Sequence, residues 1–206
     1  MSEKPIIFST PMVEAILAGR KTQTRRVVKR WNQADGIEQH DDCYQGEFVP
    51  WKDGEPQESI FAPAELGDVL WVRESFRQAW PATSYSHGIV YRADKAKSLG
   101  MDEYSERHRW KPSIHMPRLA ARLFLRVTDV RVERLQDIRE ADALAEGCDK
   151  RDSITVNGER YSALSALDSF ESLWQSLNAE RGYGWGRNPW VWVIEFEPLP
   201  EGDTEQ

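Results

Sequence analysis

Apolar and polar residues alternate most cleanly near the C-terminus. From Trp190 to Phe196, Trp190, Trp192, Ile194 and Phe196 share one side of an extended chain, while Val191, Val193 and Glu195 share the other. That period of two predicts a closing strand. Val69-Leu70-Trp71-Val72-Arg73, after a Gly67-Asp68 turn, predicts another. Arg122 to Val132 is the longest strand candidate, with a bend at Thr128-Asp129; Ile6 to Phe8 and Gly88 to Tyr91 are shorter ones. Helical spacing occurs three times. Met12, Ile16 and Leu17 follow Ser9-Thr10-Pro11, a hydroxyl cap with an early proline, and Gly19 supplies the stop. Leu135, Ile138, Ala141, Asp142 and Ala145 form a second helical pattern that ends at Gly147. Phe170, Leu173, Trp174 and Leu177 line one face of a third, over 166–177. The segment KTQTRRVV leaves the first helix in extended fashion.

Two stretches lack such a period. Residues 31–60 contain Gly36, Gly46, Pro50, Gly54, Pro56 and many acids, and read as a long loop or insertion. Residues 77–117 are mixed and aromatic, and read as a second insertion that packs down through Trp80, Tyr85, Tyr104 and Trp110. Strands dominate and no βαβ rhythm appears. The expectation is a single α+β domain over 1–198, mostly antiparallel, forming a closed or nearly closed barrel, with an acidic tail at 199–206 that frays.

Composition narrows the function. The 206 residues suit one domain with long insertions, and 40% hydrophobic residues supply a core. A net charge of −7 argues against a protein that coats nucleic acid nonspecifically, because such binding needs many phosphate contacts. The basic residues are nevertheless clustered: Arg20, Lys21, Arg25, Arg26, Lys29 and Arg30 lie between Ala15 and Ala34 with no acid among them. Such a run is either a solvated face or a local anion groove. Cys43 and Cys148 are far apart with no CxxC pair, which speaks against a zinc ribbon or a disulfide scaffold. His40, His87, His108 and His115 show no metal-ligand spacing, so neither a metal nor a cofactor is expected. Ser113 and His115 fit a binding or structural role better than a nucleophile and base, and Ser153 and Ser165 lack a nucleophile-elbow context. Glu3 and Glu14 make the N-terminus too polar for a signal peptide or membrane span, so the cytoplasm is the expected compartment. Most of the nine tryptophans are expected in the core, with one or two free to stack on bases.

The segment ILAGRKTQTRR resembles the N-terminal signature of the ASCH family, relatives of the PUA (pseudouridine synthase and archaeosine transglycosylase) fold. GDVLWV, LQDIREADALAEG and WVWVIEFE resemble further family segments in the same order, over roughly 4–30, 64–76 and 118–198. The chain looks most like the longer members found in phages and prophages, including their WKPSIHMPR segment. The resemblance implies a PUA-like β-barrel with two or three flanking helices. A small bacterial member is an amidohydrolase that removes the acetyl group from N4-acetylcytidine. Its lysine, threonine and glutamate fall, by motif, on Lys21, Thr24 and Glu146. The implied activity is hydrolysis of the amide of an N4-acylated cytidine or related modified nucleoside, with Arg20, Thr22, Arg26, Glu74 and His115 as substrate-binding candidates. The alternatives are a PUA-like RNA-binding module without catalysis, its Arg20–Arg30 run tracking phosphates, or an ASCH-type ribonuclease. The expected partner is a small modified nucleoside, with RNA as a second possibility, no membrane, and a monomeric state. This chain is much longer than that small enzyme, and neither insertion has a counterpart there.

The chemistry sets conditions. Amide hydrolysis needs a nucleophile, a base and an acid for the leaving nitrogen. Lys21 serves as base only if burial or cationic neighbours lower its pKa. Backbone N–H groups after Gly19 are candidates for an oxyanion hole. Residues three apart in a straight strand face opposite sides. Lys21 and Thr24 therefore converge only if the chain turns near Arg20-Lys21, or Thr22 takes part instead.

Overall fold

The computed structural model describes residues 2–39, 46–78, 89–94, 110–150, 154–156, 159–161 and 164–200. In chain order the strands are β1 (Glu3–Ile7), β2 (Gln23–Val27), β3 (Gly36–Glu38), β4 (Glu47–Lys52), β5 (Glu55–Pro56), β6 (Ile60–Phe61), β7 (Val69–Arg73), β8 (Phe76–Gln78), β9 (Ile89–Tyr91), β10 (Phe124–Arg134), β11 (Ile154–Val156), β12 (Glu159–Tyr161) and β13 (Trp190–Pro198). The helices are α1 (Thr10–Leu17), α2 (Glu140–Ala145) and α3 (Ala166–Asn178). This is an α+β chain rich in sheet. Two compact units divide it: residues 1–19, 68–126 and 198–206 form the first, and 20–67 with 127–197 the second.

In the first unit β1 runs parallel to β7, Ile6 beside Val72, and the opening residues of β10 pair antiparallel with β7. α1 begins at Thr10 after Ser9 as anticipated, but the Ser9 hydroxyl makes no capping bond, and Pro11 sits in the first turn, where a missing N–H costs nothing. Gly19, at φ 69°, ends the segment in the left-handed region that a residue with a Cβ avoids. β8 pairs with β9, and Phe76, Met116 and Ala120 bury against Ile89 and Tyr91. Trp110 lies under the Arg77 guanidinium, 4.9 Å from it. Trp80, Tyr85, Tyr104, His40, His87, His108, Cys43 and Ser153 lie outside the described residues.

In the second unit β13 pairs antiparallel with β2, Ile194 opposite Thr24 and Trp192 opposite Arg26. Both faces of β13 are covered. Val191 and Val193 join Leu135, Ile138, Ala143, Phe170 and Trp174 beneath α2 and α3. Trp192 turns to the other side, against Val28, Ile37, Phe48 and Ile60, with the Phe48 ring edge-on at 5.0 Å. Residues 31–60 are therefore not a loop: β4 pairs with β3, β5 and β6, and these short strands shield the Trp192 face. Glycines and prolines hid them because each strand lasts only two to six residues, too few for a period to stand out. The second predicted helix is also shorter than its pattern. Leu135–Asp137 forms a 3₁₀ turn, the chain extends at Arg139, and α2 starts there because the Asp142 carboxylate accepts the Arg139 N–H at 3.0 Å. α3 begins at Ser165, whose hydroxyl accepts the Asp168 N–H while the Asp168 carboxylate accepts the Ser165 N–H.

The expected barrel is not found: no ring of strand pairings closes among the described residues. Among these residues, no helix is long and apolar enough to cross a membrane.

Candidate functional site

The second unit draws together residues separated by more than a hundred positions. Lys21 precedes β2 and is fully enclosed, with 0% of its side chain exposed. Its ammonium donates to the Gln23 carbonyl at 2.7 Å, the Glu146 carbonyl at 2.9 Å and Glu146 Oε2 at 2.8 Å. Those three acceptors match the three N–H bonds of an ammonium. Glu146 lies just past α2, so Lys21 reaches both the last carbonyl of the helix and its carboxylate. The Thr22 N–H adds a second cap, donating to the Ala145 carbonyl at 2.8 Å. Two consecutive residues thus satisfy carbonyls that the helix leaves unpaired, in a geometry that complements its dipole.

Gln23 and Arg25 face α2 from the strand, as residues two apart must. Gln23 Nε2 donates to the Asp142 carbonyl at 2.8 Å. Arg25 is buried, with Nη1 3.3 Å from Glu146 Oε1 and Nη2 3.3 Å from Glu133 Oε2. Glu146 is thereby held between two cations. Thr24 and Arg26 occupy alternate positions: Thr24 is completely buried, and its hydroxyl accepts a hydrogen bond from Arg26 Nη1 at 2.6 Å. Arg26 in turn feels Glu146 and bears on Lys21. Arg26 reaches Thr24 by a hydrogen bond and acts on Lys21 and Glu146 through its charge, and Thr22 is exposed.

Burial pulls the Lys21 ammonium below the ordinary lysine range, Glu146 opposes that shift, and Arg26 adds to it. Arg26 is also lowered, chiefly by burial. The Thr22 N–H is committed to Ala145 and does not serve as an oxyanion donor.

The other candidates fall out differently. Arg20 is exposed and paired with Asp149 at 2.7 Å. Glu74 and His115 belong to the first unit. Glu74 is buried and gripped by Arg122 at 2.9 and 3.2 Å, while Arg122 also holds Asp94 and lies 4.0 Å from the Tyr91 ring. Burial pushes the Glu74 carboxyl up despite Arg122. These contacts describe a satisfied structural network. His115 is exposed in a short 3₁₀ turn. The basic run is split: Lys21 and Arg25 point inward, Arg20 and Arg30 are exposed and pair with Asp149 and Glu58, and Lys29 is exposed. Sequence reading gave Arg25 only as a cation near Lys21 and gave Gln23, Glu133 and Asp142 no site role. The available signal was the period-two face of Gln23 and Arg25 beside carboxylates four apart at Asp142 and Glu146. No group of three metal-ligating side chains occurs among the described residues.

No family model matches the chain, and no curated protein matches it. Among solved structures, an ASCH domain from Lactobacillus crispatus JV V101 is similar at 11% identity and a TM-score of 0.41, over 96% of this chain and 79% of that one.

Proposed function

We propose that this chain is an ASCH-type, PUA-like hydrolase that cleaves the amide of an N4-acylated cytidine or a related modified nucleoside. The enclosed Lys21–Glu146 pair, 2.8 Å apart, and the Thr24 hydroxyl held by Arg26 carry the proposal. These are the three residue types of the sequence motif. Thr24 Oγ1 attacks the acyl carbon, and the Arg26 guanidinium stabilises the charge that develops on that oxygen. The Lys21–Glu146 pair takes up the hydroxyl proton and returns a proton to the leaving N4, so its own proton count is unchanged. The N4–carbon bond breaks, the acyl group rests on Thr24, and water releases it as the carboxylic acid.

Complete burial and full saturation of the Lys21 ammonium favour a second reading, in which the pair is a structural clamp on α2. One experiment separates the two. N4-acetylcytidine is offered to the purified protein and to Lys21→Met, Thr24→Val and Glu146→Gln, and loss of its absorbance is followed beside circular dichroism. The hydrolase reading expects turnover by the natural chain and a loss of about a hundredfold or more in each folded variant. Absence of turnover by the folded natural chain sinks the hydrolase.

A further inference from the structure

A cleft of about 660 Å³ opens in the second unit between Lys29, Trp31, Asn32, Gln33, Lys52 and the loop Gly182, Tyr183 and Arg187. It shares no residue with the Lys21–Glu146 cluster. Its size suits a small organic ligand. Its chemistry is one-sided: Lys29, Lys52 and Arg187 supply three cations, and among the described residues no carboxylate lines it. All three side chains are exposed and carry no ion pair among the described residues, unlike Arg20, Arg25 and Arg30 of the same unit. Three cations with no ion pair among the described residues, around one concavity in a chain of net charge −7, give that concavity a local positive character.

The aromatic side chains narrow the ligand further. Trp31 and Tyr183 both line the cleft. Trp31 is half-buried, packs against the Trp192 cluster and holds φ at 63°, a backbone state that bulky residues rarely adopt. The Arg30 guanidinium lies 5.9 Å from the Trp31 ring. Two aromatic rings, two side-chain amides and three cations fit a ligand with a planar hydrogen-bonding ring and a phosphate. We infer that this cleft binds a nucleotide, with phosphate on Lys29, Lys52 and Arg187 and base against Trp31 or Tyr183. The inference is independent of the hydrolytic proposal, which concerns other residues.

Binding is measured by calorimetry at low salt with cytidine 5′-monophosphate, cytidine, ribose 5-phosphate and inorganic phosphate, and by anisotropy with a labelled single-stranded oligocytidylate. The charge-removed variants are Arg187→Ala and the double variant Lys29→Ala with Lys52→Ala, which alter only exposed side chains. Saturable binding of the monophosphate or the oligonucleotide is expected. Each variant should weaken it by about tenfold and flatten its salt dependence. Cytidine and ribose 5-phosphate should each bind more weakly than the monophosphate. Tighter binding of the oligonucleotide identifies a strand as the source, and equal binding identifies the free nucleotide. Failure of both probes to bind, affinity unchanged in the variants, or inorganic phosphate matching the monophosphate would overturn the inference.

Discussion

Lys21 has been taken out of water entirely, and its stability consequences follow from that. Removing one partner of a buried pair strands the other, so Lys21→Ala should cost about 3–5 kcal/mol, while Lys21→Met combined with Glu146→Leu should cost less. Urea denaturation of the three proteins checks this order. Burial also makes the effect depend on pH. The folded-state pKa of Lys21 lies below that of the unfolded chain. Between the two values the unfolded chain holds the extra proton, so stability rises with pH across that interval. Relative to Lys21→Met, the natural chain should therefore gain stability as pH rises toward the ordinary lysine pKa of about 10.4. A difference in urea midpoint that falls over this range would contradict the assigned direction. Lys21, Thr24 and Glu146 could be picked out from the motif. The role of Arg25 could not, because an arginine in a basic run looks the same in sequence whether it faces water or Glu146.

Periodicity located most elements and was least informative about their ends. α3 and β13 match their patterns because each carries a long apolar face, buried under Phe170 and Trp174 in one case and on both sides in the other. α2 is shorter than its pattern because Asp142 caps it at Arg139. The caps themselves separate two serines that look alike in sequence. Ser165 exchanges hydrogen bonds with Asp168, so Ser165→Ala should cost about 1 kcal/mol. Ser9 makes no capping bond, so Ser9→Ala should stay within about 0.5 kcal/mol of the natural chain. Paired thermal melts decide both. The Asp168 carboxyl, held low by its Ser165 bonds, adds stability above the ordinary carboxylate range that is lost as pH falls through its folded value.

At the scale of the whole molecule the chain passes between its two units after Gly19, Gly67, Arg126 and Glu197. β7 depends on β1, more than sixty residues earlier, for its parallel neighbour. A fragment of residues 68–126 lacks that strand and α1 and should show no cooperative unfolding in urea, whereas the full chain should. Cooperative unfolding of the fragment would mean that β1 is dispensable.

The residues themselves determined where the three helices and the longer strands lie, because side-chain period, capping residues and glycine stops act over a few positions. They also marked Lys21, Thr24 and Glu146 as a set through the motif. Only the tertiary structure decided that β1 runs parallel to β7, that residues 31–60 form strands over Trp192, and that Lys21 turns inward to Glu146 across 125 positions. It alone also placed Lys29, Lys52 and Arg187 around one cleft. Each of these depends on which distant surfaces bury one another, and that is settled by packing and desolvation of the whole chain rather than by any local pattern.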